Sequence, residues 1–205
     1  MSAEHIAILL DGGFVKKSLR TRLKRFPDAS DVEGLCSALM AGPLVDYTLY
    51  RVFFYDCLPF KGKATHPLTG VVTHFQNTAE AKLNESLIQK LELASNFAVR
   101  LGELTCHGWK LGKWALKSIK TGKPRPLSGP DLVPNFEQKG VDMRIGLDIA
   151  SLALKRLVGA VALVTGDSDM IPAMKLARRE GLRVYLDTMK QPVKSGLRVH
   201  ADILL

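Results

Sequence analysis

The feature that most constrains this chain is a short, uninterrupted apolar run that leads into an acidic turn. Residues 160–164 read Ala-Val-Ala-Leu-Val, and the chain continues as Thr-Gly-Asp-Ser-Asp. An apolar run of this length bounded by glycine is typical of a strand covered on both faces, as in a parallel sheet. Pro172 is best tolerated in the first turn of a helix, so we expect a helix to begin near Ser168 or Asp169.

Two carboxylates therefore follow the predicted strand, with Asp167 at its carboxyl end and Asp169 at the start of the helix. Open α/β sheets bind their ligands at that edge. The plainer alternative is that one of these side chains, or Ser168, only caps the helix. A cap needs one such residue and this turn supplies three, so the pattern favours a functional role.

The same pattern occurs near the beginning of the chain, where an apolar strand over residues 5–11 ends in Asp11 and is followed by Gly12-Gly13. Further strands are predicted over 50–56, 97–104 and 182–186, with helices over 14–23, 31–39, 79–93 and 168–179. This alternation predicts an α/β fold with a mainly parallel, doubly wound sheet of about five strands. We see no internal repeat or linker and expect a single domain over residues 1–205.

Composition limits the class of protein. Hydrophobic residues make up 46% of the chain, which is typical of a globular protein. No apolar run approaches the roughly 20 residues that cross a bilayer, so we expect no membrane association. Cys36, Cys57 and Cys106 show no paired spacing and no export signal precedes the first strand, which predicts a cytoplasmic protein. Without a Cys-x-x-Cys motif, zinc is disfavoured.

The formal net charge is +9, and two stretches are basic without a single acid, residues 16–25 and residues 107–128. The second contains two tryptophans and several Gly and Pro residues. We predict a basic flap or hairpin inserted at about residues 107–138, where cations neutralise phosphates and tryptophan stacks on bases. The alternative is a surface hairpin whose tryptophans pack on the core. The side chains expected to contact nucleic acid are Lys16, Lys17, Trp109, Lys110, Lys113, Trp114, Lys117, Lys120 and Arg144.

A further helix is predicted from Val141, with an apolar stripe at helical spacing. Asp142 and Asp148 lie on opposite flanks of that stripe, about 120° apart at 100° per residue. One helix face therefore cannot deliver both carboxylates to one ion. Asp142, in the first turn, is the better ligand, and Asp148 is expected to pair with Arg144 four residues earlier.

Four carboxylates are thus expected near one edge of the sheet: Asp11, Asp142, Asp167 and Asp169. Without a cation they would repel one another, and hard divalent cations with oxygen ligands relieve that repulsion. Mg²⁺ or Mn²⁺ is the expected cofactor, and it would activate water against a phosphoryl group. The chain has no Walker A run and no Gly-x-Gly-x-x-Gly after the first strand, so NTPase and dinucleotide-binding readings lose support.

These segments resemble the NYN domains of the PIN-like nuclease superfamily. The resemblance rests on the first strand ending in Asp11-Gly12, on Gln138-Lys-Gly-Val-Asp142-Met-Arg-Ile-Gly-Leu-Asp148, and on residues 163–181 around Thr-Gly-Asp-Ser-Asp. It implies a PIN-like, Rossmann-like three-layer α/β/α domain and metal-dependent ribonuclease chemistry. It also implies that the four carboxylates are catalytic and bind the metal, supported by Thr165, Ser168 and Asp148. One position departs from the family, because many members carry Asn where this chain has Phe14.

The leading hypothesis is therefore an endoribonuclease that uses Mg²⁺ or Mn²⁺. The first alternative is an RNA-binding or regulatory module with weak or no cleavage, which Phe14 favours and the four acids oppose. The second alternative is a metal-dependent phosphatase for small phosphate esters, which would not need so basic a surface. The expected partner is RNA, single-stranded or structured, and the sequence is also compatible with a homodimer.

Overall fold

The structure, a computed structural model, describes residues 4–122 and 125–205. Within these ranges nine strands form one large sheet and one separate hairpin. The strands are β1 His5–Asp11, β2 Thr48–Cys57, β3 Lys63–Thr65, β4 Val72–His74, β5 Phe97–Leu111, β6 Leu132–Lys139, β7 Ala160–Val164, β8 Arg183–Asp187 and β9 Ile203–Leu204. The α-helices are α1 Gly12–Leu23, α2 Ala29–Ala41, α3 Ala79–Leu93, α4 Lys113–Lys120, α5 Val141–Leu154, α6 Ile171–Arg179 and α7 Ser195–Val199.

The large sheet has the order β6-β5-β2-β1-β7-β8-β9. All neighbouring pairs are parallel except β5 and β6, which are antiparallel. The predicted mainly parallel α/β fold is confirmed, but the predicted number of about five strands is wrong, since the described sheet has seven. The extra strands are β6 and β9, whose half-exposed side chains lack the continuous apolar run by which the other strands were recognised.

Helices cover both faces of the sheet, because consecutive side chains of a strand point to opposite sides. From β1, Ile6, Ile8 and Leu10 pack among residues of α1, α2 and α3. Ala7 and Leu9 pack on the other face among residues of α5, α6 and α7. All five side chains are fully buried. The chain therefore has the three-layer α/β/α architecture that was expected, while its treatment as a single domain stays a prediction.

The starts of the helices follow local sequence signals. Asp28 and Asp31 form a reciprocal capping box at α2, with backbone-to-carboxylate distances of 2.8 and 3.2 Å. Thr78 Oγ1 accepts a hydrogen bond from the Ala81 backbone at the start of α3, which spans the predicted range. None of the described helices is long and apolar enough to cross a membrane.

The predicted basic flap, residues 107–138, is a mixture of strand and helix. Strand β5 runs beyond its predicted end to Leu111 and pairs with β6, while α4 lies in the connection between them. The segment after β2 forms the β3–β4 hairpin and packs against this region, with the His66 and Trp109 rings 4.4 Å apart. Residues 1–3 and 123–124, which include Lys123 of the basic run, lie outside the described residues.

The turn from β1 into α1 depends on Gly12, because a Cβ there would lie 2.5 Å from the Tyr55 carbonyl oxygen and 2.9 Å from the Phe54 ring. We expect Gly12→Ala to lower the free energy of unfolding by about 1–3 kcal/mol, since a methyl group forced into a packed site strains its neighbours. The measurement is urea unfolding. Gly34→Ala is the matched control in α2, where a Cβ meets nothing within 4 Å, and it should instead stabilise by about 0.5–1 kcal/mol.

Candidate metal and nuclease site

Three carboxylates converge at the carboxyl edge of the parallel strands. Asp142, Asp167 and Asp169 each offer an oxygen that lies within 4.8 Å of the other two, and all three residues are exposed. We call these three residues the acidic cluster. Asp142 comes from the first turn of α5, and the other two come from the turn after β7.

The turn after β7 is shaped by hydrogen bonds among its own residues. Thr165 is fully buried, and its Oγ1 accepts a hydrogen bond from the Asp167 backbone at 3.1 Å. Asp167 Oδ1 accepts in turn from the Asp169 backbone at 2.9 Å, where a 3₁₀ turn begins and leads into α6. Asp167 thus does cap this turn, as the plainer interpretation predicted. The cap and the acidic cluster share a carboxylate, so the two roles are compatible.

Asp11 lies beside the cluster and is tied to it through Thr165. The Thr165 hydroxyl donates to Asp11 Oδ2 at 2.9 Å, while Asp11 Oδ1 accepts from the Phe14 backbone at 3.1 Å and caps α1. Burial raises the pKa of the Asp11 carboxyl, and the negative charge of Asp167 adds to that effect. The two hydrogen bonds oppose it by stabilising the carboxylate.

Electrostatic repulsion also acts on the carboxyl group of Asp142. Although Asp142 is exposed, protein atoms around its carboxyl group partly shield that group from water and raise its pKa, and the neighbouring carboxylates of Asp167, Asp11 and Asp169 raise it further. A divalent cation would remove the cause of that repulsion, and a donor set made only of carboxylate oxygens suits hard cations such as Mg²⁺ or Mn²⁺. The residues present therefore fit a divalent metal.

A cleft of about 640 Å³ adjoins the acidic residues; we call it the acidic cleft. Its lining includes Asp11, Phe14, Lys17, Asp167 and Lys194. The Phe14 ring packs against Gly166, where a Cβ would lie only 2.6 Å from it. Phe14 therefore places an apolar ring, in contact with the acidic turn, at the position where many NYN domains carry Asn.

The side chains predicted to support the carboxylates lie in different places. Thr165 joins Asp11 to the Asp167 turn, and Ser168 Oγ accepts a hydrogen bond from Lys194 at 3.2 Å. Asp148 instead accepts from the Tyr55 hydroxyl at 2.9 Å and from Arg100 Nε at 3.2 Å, on β2 and β5.

The predicted pairing of Asp148 with Arg144 is wrong. Asp148 faces the sheet, where two donors from neighbouring strands satisfy it. Arg144 instead donates to the Gly140 carbonyl at 2.9 Å, one of the backbone groups at the start of α5. Helical spacing made the pair possible, but the tertiary contacts of Asp148 decided its partner.

Some of the side chains predicted to contact nucleic acid already have partners within the protein, whereas others are exposed. Lys16 forms an ion pair with the buried Asp56 and donates to Asn84 Oδ1 at 2.6 Å. Trp109 packs against the His66 and Phe75 rings, whereas Trp114 is 81% exposed with the Lys117 ammonium 5.7 Å from its ring centroid. Lys17, Lys110, Lys113, Lys117 and Lys120 are exposed. Their contact with nucleic acid stays a prediction.

Sequence reasoning did not include residues 191–194, which follow β8 and line the acidic cleft. Their position is a signal, because loops after the carboxyl ends of parallel strands surround the crevice of an open sheet. Their composition is not, since the segment Gln-Pro-Val-Lys carries no acid and no motif.

We expect Thr165→Val to raise the pKa of the Asp11 carboxyl further, because the variant loses a hydrogen bond that stabilises the carboxylate. NMR titration of the Asp11 carboxyl carbon measures this shift. The free energy of unfolding should also fall by about 1–3 kcal/mol, since the Asp167 amide loses its hydrogen-bond acceptor. A higher pKa in the folded protein means that folding disfavours the ionised Asp11 carboxyl more strongly in the variant. The loss of stability should therefore be larger at pH 7, where this carboxyl is ionised in the unfolded chain, than below pH 4, where it is protonated. Thr165→Ser keeps the hydroxyl and should behave like the parent protein; a parent-like Val variant would contradict this role.

Comparison with known proteins agrees with this architecture. An uncharacterized protein, y4oD, from Sinorhizobium fredii is 40% identical over 50 residues, which cover 24% of this chain and 23% of that protein. A protein of unknown function from Vibrio parahaemolyticus, VPA0982, has a similar fold by its crystal structure, with a TM-score of 0.54, 17% identity, and coverage of 99% of this chain and 92% of that chain. The family model of the NYN domain matches residues 116–202. The family match confirms the predicted resemblance over residues 116–202 and is consistent with a protein of the NYN/PIN-like nuclease superfamily. The likeness to the Vibrio structure supports the fold alone.

Proposed function

We propose that this protein is a metal-dependent ribonuclease that cleaves RNA phosphodiester bonds with Mg²⁺ or Mn²⁺. The observation that carries the proposal is the convergence of Asp142, Asp167 and Asp169 within 4.8 Å, with Asp11 joined to the same turn through Thr165. The NYN match over residues 116–202 includes all three members of the acidic cluster and supports a nuclease-like role.

The acidic cluster would hold the metal, and Asp11 would complete its anionic surroundings. The bound cation supplies Lewis acidity toward a phosphoryl oxygen and a nucleophile at neutral pH. Thr165 keeps Asp11 and the Asp167 turn in register through its two hydrogen bonds. Lys17 and Lys194 line the acidic cleft and would attract the phosphate backbone toward the carboxylates.

RNA is the proposed substrate because the chain is strongly basic and exposes lysines both along the acidic cleft and on α4. The formal net charge is +9, and α4 presents Lys113, Lys117 and Lys120 together with the exposed ring of Trp114. Such a helix can contact phosphates with its lysines and stack one base on its tryptophan.

The alternative function is RNA binding with weak or no cleavage. It is favoured by Phe14, whose ring packs on Gly166 beside the carboxylates and offers no polar group to a metal-bound substrate. Cleavage assays on purified protein separate the two functions.

We expect Asp142→Asn and Asp167→Asn each to lower the rate of single-stranded RNA cleavage by at least about 100-fold, because each removes a charged ligand of the metal that would supply Lewis acidity toward the phosphoryl group. Both variants should stay folded, as circular dichroism can check. Asp46→Asn is the matched control, since Asp46 is an exposed acid in the turn before β2, at the opposite end of that strand. EDTA should remove activity and Mn²⁺ or Mg²⁺ should restore it, with Zn²⁺ poor. Parent-like cleavage by both variants, or full activity in EDTA, would refute the proposed mechanism.

We expect RNA binding to be salt-dependent and largely independent of sequence. Replacing Lys113, Lys117 and Lys120 together with Gln should make the log–log salt slope shallower by about two units, since each phosphate contact contributes roughly −0.7 for single strands. Trp114→Ala should weaken binding without changing the slope, because stacking releases no counterions. RNA affinity measured at several salt concentrations in an Asp167→Asn background tests both. An unchanged slope in the triple variant would remove α4 from the RNA-binding surface.

A further inference from the structure

A second cavity, of about 570 Å³, lies next to the acidic cleft; we call it the aromatic pocket. The two cavities share Gly13, Lys17 and Gln138 in their linings. A ligand that extends beyond the acidic cleft can therefore enter the aromatic pocket without leaving the surface. The pocket contains none of the four predicted catalytic carboxylates, so its chemistry differs from that of the cleft.

One wall of the aromatic pocket is a group of three phenylalanines from three separate segments. The Phe75 and Phe136 ring centroids are 5.0 Å apart, and Phe60 lies 5.9 and 6.1 Å from them. Phe75 is buried, whereas Phe136 on the edge strand β6 is 36% exposed. The wall thus has a fixed base and an aromatic surface that a flat ring can reach.

Helix α1 contributes three cations to the lining of the pocket, Lys16, Lys17 and Arg20. Arg20 is paired at 3.0 Å with Glu80, which also lines the pocket. Lys16 forms an ion pair with the buried Asp56 and donates a hydrogen bond to Asn84 Oδ1, so its charge is already compensated within the protein. No described carboxylate lies within ion-pair distance of Lys17, which also lines the acidic cleft. A pocket lined by aromatic rings and by the unpaired Lys17 suits a ligand that is flat at one end and anionic at the other.

The polar side chains in the pocket are mostly engaged already. The Asn84 amide donates to the Cys57 carbonyl at 3.2 Å while its oxygen accepts from Lys16. Thr78 Oγ1 donates to the Phe75 carbonyl and accepts from the Ala81 backbone. Few groups remain to read the hydrogen-bonding edge of a base, so recognition here would depend on ring stacking and be tolerant of base identity.

We propose that the aromatic pocket holds one unpaired base of an RNA strand, stacked on Phe136, while its phosphate passes Lys17 into the acidic cleft. This inference rests on the proposed ribonuclease function and adds a requirement to it. A base can enter the pocket only if it is free of a complementary strand, so the nucleotide next to the cleaved bond must be unpaired. A fully double-stranded RNA should bind elsewhere on the basic surface and escape cleavage.

The test is a double-mutant cycle that combines a substitution in the pocket, Phe136→Ala, with removal of one base from the RNA strand. In an Asp167→Asn background with EDTA, affinity is measured by fluorescence anisotropy for a short single-stranded RNA and for a series in which one position at a time is abasic. Phe136→Ala should weaken binding of the intact strand roughly 5- to 100-fold, the range expected when one stacked base is lost. Abasic strands that already lack the stacked base should lose little more. Phe136→Tyr keeps the aromatic ring and should bind like the parent, whereas Val133→Ala, on the same strand and outside the pocket, should be neutral.

The outcomes separate this inference from the ribonuclease proposal. Loss in Phe136→Ala that is equal for the intact strand and for every abasic strand would overturn the pocket assignment, as would full affinity in this variant, and either result leaves the cleavage mechanism intact. The opposite outcome is also distinguishable. If Phe136→Ala weakens binding of the intact strand but not of the matching abasic strand, the pocket is supported. If the Asp142→Asn and Asp167→Asn variants nevertheless still cleave RNA, the metal mechanism is refuted. Failure of the parent protein to bind the intact strand would overturn both.

Discussion

The rest of the structure depends on the burial of β1 between two parallel neighbours. Its side chains Ile6 to Leu10 are fully buried, and its backbone pairs with β2 on one side and β7 on the other. Parallel strands end at the same edge, so the residues after β1, β2 and β7 must meet there. Asp11, Asp56 and the turn around Asp167 are brought together by strand pairing. Their mutual repulsion opposes this arrangement, and the apolar burial of the strands outweighs it.

The carboxylates at this edge are held by the same hydrogen bonds that begin the next helices. Asp11 caps α1, Asp167 caps the turn that leads into α6, and the buried hydroxyl of Thr165 serves both. The negative charge of a capping carboxylate is usually stabilised by the backbone amides from which it accepts hydrogen bonds. Here burial and like charges raise the pKa of Asp11 despite those amides. Hydrogen bonds thus fix where the carboxylates lie, and the repulsion that remains between them favours a cation.

Beyond the carboxylates, the edge of the sheet divides into two surfaces of different chemistry. Lys16, which the sequence suggested as a phosphate contact, pairs with the fully buried Asp56 and so forms part of the wall of the aromatic pocket. Breaking a buried ion pair is costly because it leaves one charge uncompensated, so Lys16 has a structural role whatever it binds. Lys17, one residue later, points to open space shared by both cavities.

The sequence by itself determined the strands with continuous apolar runs, the helices between them and the acidic ends of the strands; β7 and α3 have the predicted bounds. These features are local, because burial on both faces and helical spacing are written into consecutive residues. The sequence suggested a flap or hairpin at about residues 107–138, but it could not reveal the extent of the β5–β6 pairing, the partners of Asp148 or the packing of Trp109 against His66. Only the tertiary structure decided these, because each depends on which of several possible partners, distant along the chain, folding brings within contact distance.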